Sequence, residues 1–151
     1  MNHMNNQYKR LGVMAALSFV AMYALMYAMV DTLGNVYVNV NQFYMAGLMT
    51  AAMIIIELLC MGVMYVNKKK NFIIVAVSFV VLTASWIGIR QQLFVNDKQF
   101  LLSMIPHHAS ALLMCANAPV SDLEIHALCD SILAGQQDEI SQMKNILSRM
   151  R

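Results

Sequence analysis

Long apolar runs broken by short polar segments fill the first two thirds of the chain, and an amphipathic remainder follows. Leu11 to Val30 carries no charge over twenty residues, the length a helix needs to cross a hydrocarbon core. The run is long for a signal-peptide core and no cleavage site follows, so a retained span is expected. Asp31 to Gln42 is a polar connection. A second run from Phe43 to Val66 stops at Asn67-Lys-Lys-Lys-Asn71. The third, Phe72 to Ile89, extends to Val95 if Arg90 snorkels to the interface. The pattern predicts spans over 11–30, 43–66 and 72–95.

Beyond Asn96 the apolar period shortens to steps of three and four, the signature of amphipathic helices. Asn96 or Asp97 suits an N-cap, unless the third span runs straight on. Pro106 removes a backbone hydrogen bond and is expected to kink the helix before the two histidines. Ala118-Pro-Val-Ser121 reads as a turn. Ser121 or Asp122 then caps a helix to about Leu147, with Ser121 and Glu124 at capping-box spacing. The expected fold is all-α: a three-span membrane anchor over 1–95 and an antiparallel helical hairpin over 96–151. Such a hairpin cannot bury both apolar stripes alone, so a homodimer forming a four-helix bundle, or docking on other membrane subunits, is expected.

Composition agrees with a membrane protein, with 60% hydrophobic and 12% charged residues. Membrane lipid is therefore an expected partner. Lys9, Arg10, Lys68, Lys69 and Lys70 mark one side of the membrane as cytoplasmic, which places residues beyond Arg90 on the other side, the periplasm in a bacterium. The tail from Asp97 carries six acids (Asp97, Asp122, Glu124, Asp130, Asp138, Glu139) and four bases (Lys98, Lys144, Arg149, Arg151), which argues against nucleic acid as a partner.

The distinctive chemistry lies in Met104-Ile-Pro-His-His108. Met104 sits three and four residues before His107 and His108, so the thioether and the imidazoles crowd one side of a helix. Adjacent histidines point about 100° apart, so one is expected to bind and the other to orient or serve elsewhere. Thioethers favour Cu(I), while imidazole also suits Cu(II), Zn and Ni. One helix aligns Met104, His107 or His108, Ala111, and Met114 or Cys115; the other aligns His126, Cys129, Ile140 and Met143. Cys115 and Cys129 are read as soft metal ligands, with a disulfide as the alternative. Cys60 is expected to be buried and inert. His3 and Met4 form a possible terminal clasp on a fraying end. Among the fifteen methionines, stripes in the first two spans suit helix packing, or a Met-lined route past the intramembrane Glu57.

Asp97, Phe100, Met104-Ile-Pro-His-His108, Ala111, Met114 and Gln136-Gln-Asp-Glu-Ile-Ser-Gln-Met143 together resemble the family called domain of unknown function 305. The preceding residues are similar to the three-span anchor of some bacterial members. The resemblance implies a ferritin-like helical half-bundle and copper binding by Met and His. The expected function is a membrane-anchored binder of Cu(I), with Ag(I) as a second soft ion, in metal resistance or homeostasis at the bacterial inner membrane. The alternative is an accessory subunit of a membrane complex. The candidate ligands are Met104, His107, His108, Met114, Cys115 and Met143, with His126 and Cys129 as additions. No enzyme is expected: ferritin-like di-iron oxidation requires carboxylates and an E-x-x-H step, which the chain lacks.

Overall fold

A computed structural model describes the backbone of residues 2–150 and the side chains of residues 6–150. His3 and Met4, the terminal pair, lie outside the described side chains. The helices are α1 (Asn2–Leu25), α2 (Val40–Cys60), α3 (Lys68–Gln91), α4 (Asp97–Asn117) and α5 (Leu123–Arg149), with short 3-10 turns at Met26–Met29 and Leu33–Asn35. Among the described residues there is no strand, so the class is all-α. The chain divides into two compact units, residues 1–25 with 41–93 and residues 26–40 with 94–151.

The first unit holds most of three segments long and apolar enough to cross a membrane: Asn6–Met29, Val40–Cys60 and Lys68–Gln91. Helix boundaries differ from those the apolar pattern suggests: α1 covers Asn2–Leu25 rather than 11–30, and α2 begins at Val40 rather than Phe43. The second helix ends at Cys60 rather than Val66, and α3 begins at Lys68 rather than Phe72. The cause is local capping: the Asn67 side chain accepts a hydrogen bond from Lys70 N at 3.0 Å, which starts the helix at the lysines. The third helix stops at Gln91, because Gln92 turns left-handed at φ 50° and donates its N–H to Gly88 O. Phe94 is also left-handed, at φ 59°, so α3 does not continue into α4.

Small residues let α2 and α3 approach. The Tyr44 ring lies against Gly88, and its hydroxyl donates to Leu93 O at 2.9 Å. A Cβ on Gly88 would stand 2.9 Å from that ring, closer than carbon atoms pack. Gly88→Val is therefore expected to destabilise this unit by about 1–3 kcal/mol through overpacking. Unfolding of the detergent-purified protein in SDS, followed by circular dichroism, checks this; an unshifted midpoint would refute it. Thr50 in α2 donates to the Met22 sulfur of α1 at 3.7 Å. Met45, Met49, Met61 and Met64 are exposed, whereas Met22, Met53 and Glu57 are half-buried. Cys60 is exposed, not buried as expected.

At the end of the unit where α1 and α3 begin, Leu11, Leu58 and Tyr65 form a buried cluster. The Tyr65 hydroxyl donates to Glu57 Oε1 at 3.2 Å. Burial, and then the neighbouring Glu57 carboxylate, raise the Tyr65 phenol above its ordinary pKa, so it remains a donor at neutral pH.

In the second unit α5 runs back along α4. Leu101, Ile105, Ala109 and Leu112 recur at steps of four, four and three, forming one stripe on α4 that packs against Ile140 and Met143 of α5. The Asn96 side chain caps α4 by accepting from Gln99 N at 2.9 Å. Asp122, rather than Ser121, caps α5, accepting from Glu124 N at 2.8 Å and Ile125 N at 3.1 Å. The connection over 26–40 folds onto this pair: Val30 and Tyr37 pack on its core, and Val40 N donates to Gln99 Oε1 at 3.0 Å.

Candidate functional site

The register of the helix pair follows from two contacts. Cys115 and Cys129 are joined in a disulfide with Cα atoms 5.2 Å apart. Seven residues earlier on α4 and ten later on α5, His108 Nε2 lies 2.7 Å from Glu139 Oε2. One further turn in the same direction brings Met104 level with Met143, since the helices run oppositely. Met143 belongs to the buried core and Met104 packs against that core. Met104 and His108 of α4 thus share a band with Glu139 and Met143 of α5.

His108 is 9% exposed and both ring nitrogens are engaged. Nδ1 faces Met104 O at 2.9 Å. A carbonyl oxygen only accepts, so Nδ1 carries the proton and donates. That assignment leaves Nε2 to meet Glu139 in one of two ways. A second proton makes the ring an imidazolium paired with a carboxylate; without it, a lone pair and a carboxylate oxygen converge. A backbone-fixed imidazole tautomer of this kind orients metal-binding histidines. Glu139 is well exposed, so solvent reaches the pair from the carboxylate side.

The other expected ligands separate. His107 is exposed, and its ring centroid lies 5.9 Å from that of His108 in an edge arrangement. Two consecutive helical positions cannot share one inward face, so burying His108 turns His107 outward. Met114 is 52% exposed and His126 is exposed, both away from the His108 band. Cys115 and Cys129 correct the expectation of thiolate ligands: as a disulfide they have no thiolate to offer. The physical reason is the turn at Pro119, which holds the facing helix positions within disulfide reach. Among the described residues no three His, Cys, Asp or Glu side chains are grouped to hold a metal, so a site at His108 needs the thioethers.

Glu139 is the residue that sequence reasoning missed. It lies one turn before Met143 on the same face, but counting seven residues each way from the cysteine pair sets Gln136 opposite His108, so only the structure brings Glu139, one turn farther on, to it.

Residues 92–151 match the family model Domain of unknown function (DUF305). The chain is also 35% identical over 153 residues to "Uncharacterized protein L153" of Acanthamoeba polyphaga mimivirus, covering 98% of this chain and 96% of that protein. Residues 92–151 therefore belong to the DUF305 domain family. No solved structure matches it. The DUF305 segment takes in α4, α5 and the turn between them, and hence all of the His108 band. The similarity to the viral protein also extends through α1–α3.

Proposed function

We propose that this DUF305 protein is a membrane-anchored binder of Cu(I), and by the same softness Ag(I), serving metal homeostasis or resistance rather than catalysis. The observation that carries the reading is His108: a nearly buried imidazole whose Nδ1 proton is committed to Met104 O, with Nε2 directed across to α5. Two thioethers, Met104 and Met143, lie one turn away, and such a donor set favours a soft ion. In this reading His108, Met104 and Met143 hold the ion. Glu139 faces Nε2 at 2.7 Å, so an ion bound there either displaces the carboxylate or gains it as a further oxygen donor. The α4–α5 pair then acts as half of a ferritin-like bundle on a three-span anchor.

The positive-inside rule sets the helix pair across the membrane from Lys9, Arg10 and Lys68 to Lys70. The Cys115–Cys129 bond suits an oxidising compartment, as this orientation requires. In a bacterium that compartment is the periplasm. The near-full-length relative is viral, so the compartment is better stated by its chemistry than by an organism.

A second reading, a docking module for other membrane subunits or a second copy of the chain, is favoured by the exposed Leu123, Ile125 and Leu128 at the start of α5. Anaerobic Cu(I) titration of the detergent-purified protein separates the two. One ion per chain is expected, lost in Met104→Leu, His108→Ala, Met143→Leu and retained in His107→Ala. Glu139→Gln, which removes only the neighbouring carboxylate, is expected to change affinity by about tenfold. Absence of binding by the unaltered protein would reject the copper reading, and stable copurification of other subunits would then favour docking.

A further inference from the structure

Two grooves in the first unit share one layout. The α1 groove, about 440 Å³, is lined by Asn6, Lys9 and Arg10 above Val13, Met14 and Leu17. These residues repeat at steps of three and four along one helix face. The α3 groove, about 400 Å³, has Lys68 and Lys69 above Phe72 and Ile73. In both, two cations stand in the first turns of a candidate membrane span and apolar residues follow along it. That is the order of a phospholipid, with phosphate at the interface and acyl chain below.

A specific clamp joins the first turns of these two spans. The Tyr8 hydroxyl of α1 donates to Asn71 Oδ1 at 2.7 Å and accepts from Asn67 N at 3.3 Å. Asn71 Nδ2 in turn donates to Tyr65 O at 2.6 Å. The Tyr8 ring lies 5.4 Å from the Tyr65 ring, and Lys70 Nζ stands 5.2 Å over it. Lys9, Arg10, Lys68 and Lys69 are consequently gathered at one end of one unit. All four are exposed, and the ion pair found among the described residues engages none of them. Glu57, the carboxylate nearest in sequence to the lysines, accepts from Tyr65.

We infer that this end of the three-helix unit is a binding surface for anionic phospholipid, its headgroup phosphate held by Lys9 and Arg10 or by Lys68 and Lys69 and its acyl chain laid along the strip beneath. Charge complementarity selects this occupant, because a zwitterionic lipid would leave two neighbouring cations uncompensated in each groove. Basic residues beside membrane spans attract anionic headgroups, and the apolar strips add a chain contact that a soluble anion cannot make. The inference rests on the reading of α1–α3 as membrane spans but is independent of copper.

The test uses the full chain reconstituted in phosphatidylcholine vesicles containing a minor share of phosphatidylglycerol, with spin-labelled forms of each lipid as probes. The motionally restricted fraction is expected to favour phosphatidylglycerol over phosphatidylcholine by roughly tenfold at low salt and less at high salt. Lys9→Gln, Arg10→Gln, Lys68→Gln, Lys69→Gln should bring the preference to about unity while helical content is retained. The two double variants should each remove part of it, which guards against misfolding of the fourfold variant. Lys144→Gln, Arg149→Gln, an equal loss of charge in α5, should leave it intact. Equal restriction of both lipids, or a preference that survives the fourfold variant, overturns the inference. A complete lack of restricted lipid would instead overturn the membrane anchor itself.

Discussion

Replacing Cys115 and Cys129 with serine is expected to destabilise the α4–α5 pair by about 3 kcal/mol, the loop-closure entropy of a loop of this length. The bond joins residues fourteen apart across the turn at Pro119, so its loss returns conformational freedom mainly to the unfolded turn and the adjoining ends of both helices. Hydrogen exchange reports this directly. Amides of α4 and α5 that exchange through opening of the pair should do so about a hundredfold faster, since each 1.4 kcal/mol is a factor of ten. Amides of α1–α3, in the other unit, should be unchanged. Reductant added to the unaltered protein should reproduce the effect. Equal exchange in variant and parent would mean that packing alone holds the pair closed. Cys60, the exposed free cysteine, serves as an internal control for alkylation: it should react without reductant, whereas Cys115 and Cys129 should require it.

Ile105→Ala is expected to cost about 2–5 kcal/mol, in the range of large-to-small core replacements that leave a cavity. Ile105 is fully buried between Leu101 and Ala109 along the α4 stripe, facing a core to which α5 contributes the almost fully buried Ile140. Phe100, its near neighbour in sequence, is 50% exposed, so Phe100→Ala should cost much less despite the larger side chain. Exchange protection in α4 and α5 distinguishes these outcomes. Tryptophan fluorescence is a poor reporter, because Trp86 sits in α3 of the other unit. Similar costs for the two variants would mean that the stripe is not the core of the pair. Ile105 also follows Met104 directly, so its loss is expected to loosen the Met104–His108 turn and weaken metal binding before it unfolds the helix.

The all-helical class and the three long apolar segments were legible in the sequence because both are properties of single segments. An uncharged run long enough to cross a bilayer needs no partner to be recognised, and alternation at three and four residues marks α4 and α5. Helix ends were less legible. Lys68 to Lys70 read as an interfacial stop, yet they form the first turn of α3, because Asn67 caps there. Gln92 and Phe94 carry no glycine-like mark in the sequence, and their left-handed geometry is what separates α3 from α4. Asp31 to Gln42 read only as a polar connection, and Met26 to Val30 as the end of the first span; that residues 26–40 pack on the helix pair was not legible, because Val30 and Tyr37 on the core and Val40 on Gln99 meet residues about sixty or more positions away.

The sequence by itself determined that Met104, His107 and His108 share one helical turn, that Cys115 and Cys129 flank a turn at Pro119, and that the basic residues gather beside the apolar runs. These follow from spacing along one strand of chain. The tertiary structure decided which of the two histidines is buried, because only the packing of α4 on α5 defines an inside. It likewise decided that the cysteines bond to each other and that Glu139 meets His108. Those outcomes depend on the register between two helices, and a shift of one residue rotates each face by about 100°.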